Sequence, residues 1–200
     1  MRANRRTHAP RRADGFSLIE VLVSILVLAI GLLGLAGLQA KANEIEMEAY
    51  QRSVALALVQ DMASRIAAGR QYANAFATGT VYGTGDKEPT DCTALTDAPR
   101  HLCEWSNAMK GAAESRTESG GNTRSIGAPI GMRGCILPVA DPTPNALAEY
   151  FVVGIWQGLT PTASPAANTP GANCAPDVEF GSGQRRAVVT RVLIPKLAAS

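Results

Sequence analysis

Eighteen consecutive residues, Val21 to Leu38, carry no charge. A helix of that length covers roughly 27 Å, close to the ~30 Å hydrocarbon core of a bilayer. The next stretch stays helical in period but becomes amphipathic. Ala55, Leu58, Val59, Met62 and Ile66 fall on one apolar face, and Arg52, Gln60, Asp61, Ser64 and Arg65 lie largely off it. Residues 39–68 are rich in Ala, Glu, Gln, Leu and Met, all good helix formers, and no proline occurs between Pro10 and Pro89. The pattern predicts one helix from Phe16 to about Ala68, ~80 Å long, with Gly69 as its C-terminal cap. Its first half is a membrane stem; its second half packs against a globular head. Gly31, Gly34 and Gly37 punctuate the stem at ~1 kcal/mol of helix propensity each, and close helix packing in lipid is one reason to keep them.

From residue 70 the texture changes, for fourteen of the nineteen glycines and eleven of the twelve prolines lie there. Residues 70–98 read as a loop region with turn signals at Gly83-Thr84-Gly85-Asp86 and Glu88-Pro89. A short helix is expected over His101–Ala113, then strands at Gly134–Val139, Tyr150–Trp156 and Ala187–Ile194. In the last, Val188, Thr190, Val192 and Ile194 alternate with Val189, Arg191 and Leu193, as in a half-buried strand. Residues 159–183, rich in Thr, Pro, Ala, Gly and Asn, form a loop long enough to be functional or mobile. An antiparallel sheet resting on the apolar helix face makes the fold α+β.

Charge changes the picture only at the N-terminus. The net charge of +2 depends on five arginines and one acid in residues 1–15; without them 14 basic residues face 16 acids, a net −2. A basic nucleic-acid-binding module is therefore not supported, and no nucleic-acid partner is expected. One apolar span excludes a multipass transporter. The Arg-rich flank keeps the N-terminal side cytoplasmic and sends the chain beyond the apolar run out of the cytoplasm.

Several fates compete for such a segment. A cleaved secretory signal would have a shorter apolar core, although Ala40-Lys41-Ala42 offers a small-x-small site. A lipoprotein signal would place a Cys just after the apolar run, and the first is Cys92. A plain signal anchor fits the length but leaves Glu20, a carboxylate costly in lipid, without a role unless it snorkels to the headgroups.

The run Gly15-Phe16-Ser17-Leu18-Ile19-Glu20-Val21-Leu22, behind a basic leader, resembles the N-terminal signature of type IV prepilins and pseudopilins. Asp14 beside the glycine departs from an otherwise basic leader. The resemblance implies cleavage between Gly15 and Phe16 by a prepilin peptidase, N-methylation of Phe16, and retention of the apolar helix. It also implies that Glu20 pairs with the N-terminal amine of a neighbouring subunit. That amine is cationic near neutral pH, and an unpaired carboxylate at that depth would cost several kcal/mol, so the pair can set register during assembly. Local melting of the stem at its glycines, as seen in this family, is a second reason for Gly31, Gly34 and Gly37.

All four cysteines, Cys92, Cys103, Cys135 and Cys174, lie in the exported part, where an even count argues for two disulfides. Of three possible pairings, Cys92–Cys103 and Cys135–Cys174 are favoured: the first closes a short loop and the second pins the 159–183 loop. A rival metal site built from Cys92, His101 and Cys103 lacks a fourth nearby ligand. No metal or cofactor is expected. No phosphate-binding, nucleophile-elbow or zinc-protease pattern occurs, and His101 is the sole imidazole beyond the leader, so an enzyme is not expected. Arg185-Arg186 near Trp105 or Trp156 reads as a solvated strand entry in preference to a DNA contact.

The order Glu104-Trp105, Gly134-Cys135-Ile136, Tyr150 to Gly158 and Arg185-Arg186-Ala187-Val188-Val189 resembles the PilV minor pilins, the type IV pilus modification proteins. The expected fold is type IV pilin-like: a 1–15 leader, a 16–38 stem, a 39–69 amphipathic helix and a 70–200 exported head with disulfide-closed loops. The resemblance implies a subunit supporting pilus initiation, twitching motility or adhesion. It would sit in the inner membrane with a periplasmic head before assembly, and then in the pilus or at its tip. Its partners would be the prepilin peptidase, other minor pilins, the major pilin and a tip adhesin. A minor pseudopilin of type II secretion and a non-polymerising membrane-anchored binding protein are the alternatives.

Overall fold

Residues 15–118, 120–121, 123–139 and 148–195 are described by a computed structural model, so all of the 1–15 leader except Gly15 lies outside the described residues. The chain divides into two units between Asn43 and Glu44. The first is the apolar part of α1, a helix that runs Leu18–Ala68 across the division. With no interior proline and a run of strong helix formers, nothing in the sequence interrupts it.

In the second unit α1 buries Gln51, Ala55, Val59, Met62, Ala63 and Ile66. The helix ends at Ala68, but Gly69 is no left-handed cap. Its φ is −89°, and the chain passes directly into a 3₁₀ helix, Arg70–Phe76. Glycine is required here because the Tyr72 ring lies against its Cα; a Cβ would sit 2.5 Å from that ring. The stretch expected to be loop therefore contains a helix that buries Ala73 and Phe76, and also a two-residue strand, β1 (Tyr82–Gly83).

Helix α2 spans Asp97–Met109, starting and stopping four residues before the expected bounds. Its buried stripe begins at Ala98 and continues through Leu102, Trp105 and Met109, and Pro99 is tolerated in the first turn. Gly111, at φ +87°, turns the chain out of the helix. A hairpin of β2 (Ser115–Thr117) and β3 (Thr123–Ser125) comes next; its β2 residues are exposed, so no apolar alternation announced it.

The main sheet is antiparallel, in the order β1, β4 (Arg133–Val139), β5 (Ala148–Gln157), β6 (Arg185–Ile194). The last three strands form a meander, with Ile136 opposite Val152 and Val152 opposite Thr190. Alternation along β5 sends Tyr150, Val152 and Trp156 into the core with α1 and α2, and Val153 and Ile155 into a second cluster with Cys135, Cys174 and Ala175. The two faces of the sheet are thus covered differently, by helices on one and by the 159–183 loop on part of the other. That loop carries a single helical turn, α3 (Pro170–Asn173).

Trp105 joins α2 to both neighbours. Its indole N–H donates to the Leu58 carbonyl at 2.9 Å, and its ring lies on Gly134, where a Cβ would come within 2.2 Å of ring carbon. Cys92–Cys103 ties α2 to the preceding loop, and Cys135–Cys174 ties β4 to the end of α3.

Candidate functional site

The side chains singled out by their chemistry fall into two regions, one in each unit. In the first unit, helix α1 begins at Leu18, and the Ser17 carbonyl accepts from the amides of Glu20 (3.0 Å) and Val21 (3.3 Å). Ser24 folds its hydroxyl back onto the Glu20 carbonyl at 2.7 Å, which satisfies that hydroxyl inside an apolar run. The Glu20 carboxylate sits in the first turn, where the helix dipole favours negative charge, and it has no side-chain partner among the described residues. Phe16 is 83% exposed. Fifteen large apolar side chains between Phe16 and Leu38 are exposed, and the most apolar 18-residue window has mean hydropathy 2.8 with none of it buried. Each such side chain is worth ~1.5–3 kcal/mol on burial, so this surface requires lipid or other helices around it.

The glycines divide by cause. A Cβ at Gly15, Gly31, Gly34 or Gly37 would meet nothing within 4 Å, whereas one at Gly69 or Gly134 would collide with an aromatic ring. The fold of the single chain explains the second group and leaves the first for something outside it.

In the second unit the arginine pair at the start of β6 is structural. The solvated strand entry expected there is incorrect, because both guanidiniums bind their own chain. Arg185 donates to the carbonyls of Cys174 (3.0 Å), Ala175 (2.9 Å) and Val178 (2.9 Å) and lies 5.3 Å from the Phe180 ring centre. Burial pushes its pKa down and the neighbouring Arg133 adds to that, while Glu179 opposes. Arg186 binds Glu48 of α1 at 2.6 Å through Nε and the Thr160 carbonyl at 2.6 Å through Nη2. Thr160 also donates its hydroxyl to Glu48, at 3.0 Å. Burial alone would raise the Glu48 pKa; these hydrogen bonds outweigh it and hold the carboxyl below its ordinary value of 4.5. An arginine carries five donors in a rigid fork, which is why two of them can organise a loop with so little apolar content.

Asp86 organises the opposite side. Its carboxylate, 6% exposed, accepts from the Gly83 amide (2.7 Å), the Glu88 amide (3.2 Å) and the Ser106 hydroxyl (2.5 Å), and pairs with Lys110. Burial pushes this pKa up, and the donors more than reverse it, so it lies below 3.8. On α1, Arg65 bridges Asp61 (2.8 Å) and Glu104 (2.6 Å) and donates to His101 Nδ1 at 3.1 Å. Cys92 and Cys103 are bonded to each other, so the thiolate pair of the rival metal site does not exist, and His101 serves the Arg65 cluster. Trp105 and Trp156 are core side chains. Asp86 and Glu48 escaped sequence reasoning because a single acid in a turn or on a helix has no local signature of its distant partners.

A long apolar helix, a small antiparallel four-stranded sheet and two disulfides make an α+β fold of type IV pilin-like kind. Residues 10–36 match the family model of the prokaryotic N-terminal methylation motif. No curated protein and no solved structure matches the chain. The motif supports a type IV pilin-like or pseudopilin-type protein, structural in role. It implies processing by a prepilin peptidase and assembly with other pilins, and together with the apolar helix it marks membrane anchoring and export.

Proposed function

We propose that this chain is a minor pilin of the PilV kind, a subunit that supports initiation and assembly of a type IV pilus and through it twitching motility or adhesion. The observation that carries the reading is the unpartnered Glu20 carboxylate, among the described residues, in the first turn of an exposed apolar helix within the methylation motif. A carboxylate entering lipid must find a cation, and the amine of a processed Phe16 on a neighbouring subunit supplies one.

In this reading residues 1–15 are the leader, cut after Gly15, and Phe16 becomes the methylated N-terminus. Gly15 is needed by the peptidase and not by the fold, since open space surrounds its Cα. Residues 16–38 are the stem, 39–69 the amphipathic helix and 70–200 the exported head. The compact second unit begins earlier, at Glu44, so the amphipathic part of α1 belongs to the head's core. Its partners are the prepilin peptidase, other minor pilins, the major pilin and a tip adhesin. The subunit waits in the inner membrane with its head in the periplasm, then enters the pilus or its tip.

Deletion of the gene in its own cell tests the assignment. Loss of surface pili and twitching, reversed by the intact gene, is the expected result. Loss of protein secretion with normal pili would assign the chain to type II secretion instead.

A further inference from the structure

We propose that the outer edge of β6 accepts an added strand, and that its occupant is an extended, uncharged segment of another exported polypeptide. The sheet order leaves β6 with a neighbour on one side only. Its register with β5 runs unbroken from Ala148 opposite Ile194 to Gln157 opposite Arg185, with no bulge to twist the edge away.

The phase of the ladder identifies the free groups. The Gly158 amide donates to the Gln184 carbonyl at 2.7 Å, so in the alternating antiparallel pattern Arg186, Val188, Thr190 and Val192 bond to β5. Ala187, Val189, Arg191 and Leu193 therefore turn their N–H and C=O groups outward, where they have no hydrogen-bond partner among the described residues. Sheets usually blunt such an edge with lysine, proline or an unpaired charge. β6 has neither Lys nor Pro, Arg191 is neutralised by Glu149, and Val189 and Leu193 are 42% and 45% exposed. The opposite edge is defended. There β1 covers only Arg133 and Gly134 of β4, and Pro138 in the stretch beyond has no N–H to offer.

Two features select the occupant. Alternating donors and acceptors from Ala187 to Leu193, a span of about 20 Å, are matched by another extended backbone. A groove of about 400 Å³ lies against the first half of β6, between Ala187 and Val189 on one side and Ala163, Pro165, Ala166 and Thr169 on the other. Its small, uncharged walls favour a neutral strand with small side chains, and Val189 and Leu193 offer apolar contacts to alternate residues of that strand. A second copy pairing through its own β6 would bring its own 163–171 wall to the same place, so the groove fits a single segment and not a whole sheet edge. Main-chain bonds supply affinity and the groove supplies specificity, whichever filament the subunit enters.

The test is photo-crosslinking from benzoylphenylalanine placed at Leu193 of the full chain, in the cell that makes it, with Val189→Ala or Val189→Pro as a second change. Proline at 189 removes an N–H that the ladder does not use, so the urea midpoint should stay at its wild-type value; alanine keeps that N–H. The expected result is a crosslink to one exported protein, mapped by peptide mass analysis to an uncharged segment. It should be kept in Val189→Ala and reduced about tenfold or more in Val189→Pro. A crosslink that survives Val189→Pro, one to a charged segment, one to a second copy of this chain, or none at all would each overturn the proposal. Should Val189→Pro lower the urea midpoint, amide exchange of the purified wild-type chain in detergent decides. Unprotected amides at Val189, Arg191 and Leu193 support the open edge, and protected ones overturn it.

Discussion

Arg186 and Glu48, 138 residues apart in sequence, meet at 2.6 Å and bind the last strand to the long helix. Neither group is free to be solvated: Thr160 accepts from the same arginine and donates to the same carboxylate. A half-buried pair of this kind is costly to break because the survivor keeps its burial and loses its partner.

Glu48→Ala is therefore expected to destabilise the head by about 2–3 kcal/mol, read as a lowered urea midpoint. Glu48→Ala/Arg186→Ala together should cost less than the sum of the single changes. Additive effects would contradict a coupled pair.

Acid should act through the same groups. Glu48, Asp86 and Glu104 all have folded pKa values below their ordinary ones: hydrogen bonds from Arg65 and Arg100 lower Glu104, and donors overcome burial at the other two. A depressed folded pKa gives stability that is present above the unfolded pKa and lost as pH falls through the folded one. Unfolding midpoints should hold between pH 7 and about 5, then fall steeply toward pH 3, with a shallower fall in Glu48→Gln. Equal slopes would exclude Glu48 from the acid response.

The two disulfides should contribute unequally. Cys135–Cys174 closes 39 residues of chain and Cys92–Cys103 closes 11, which in the chain-entropy view gives about 4 and about 3 kcal/mol. Removing the first pair should also free the end of α3 and expose the 159–183 loop to protease, whereas removing the second should not. Alkylation without reduction is expected to label none of the four cysteines.

Gly134→Ala would place a methyl group within 2.2 Å of a Trp105 ring carbon. Displacing a buried Trp from both Gly134 and the Leu58 carbonyl is expected to cost about 2–4 kcal/mol. A Gly134→Ala head with unchanged thermal stability and tryptophan fluorescence would show that the ring can move freely.

Most of the architecture was legible because it rests on periodic burial. The apolar stripe from Ala55 to Ile66 and the strands near 134–139, 150–156 and 187–194 come from side-chain periodicity, whereas the end of α1 at Ala68 was marked by Gly69, which stops the helix without capping it. What escaped depends on distant partners. The 3₁₀ helix after Gly69 exists because Tyr72 and Phe76 find core, and β1 exists because Gly134 accepts it as an edge neighbour. Arg185 and Arg186 read as surface charge because their acceptors are backbone carbonyls and the distant Glu48, which no local sequence pattern displays. At the N-terminus the reverse holds: Gly15, Phe16 and Glu20 stand out in sequence, while the described residues of the single chain supply no side-chain partner for Glu20.

Processing should start at that glycine. The mature N-terminus is expected at Phe16, read by mass analysis, and Gly15→Val should leave the precursor uncut without changing the fold of the head. A mature chain beginning at Met1 or Asn43 would contradict the cleavage site.

Pairing of Glu20 with the amine of a neighbour is tested most directly by surface piliation of a deletion strain complemented with Glu20→Ala or Glu20→Gln. Membrane insertion and cleavage after Gly15 should persist in both, since the apolar run only becomes more lipid-soluble. Piliation should fall sharply in both, because the glutamine keeps the shape without the charge. Normal piliation from both variants, with insertion and cleavage intact, would contradict the pairing and leave Glu20 as a residue that merely reaches for the headgroups.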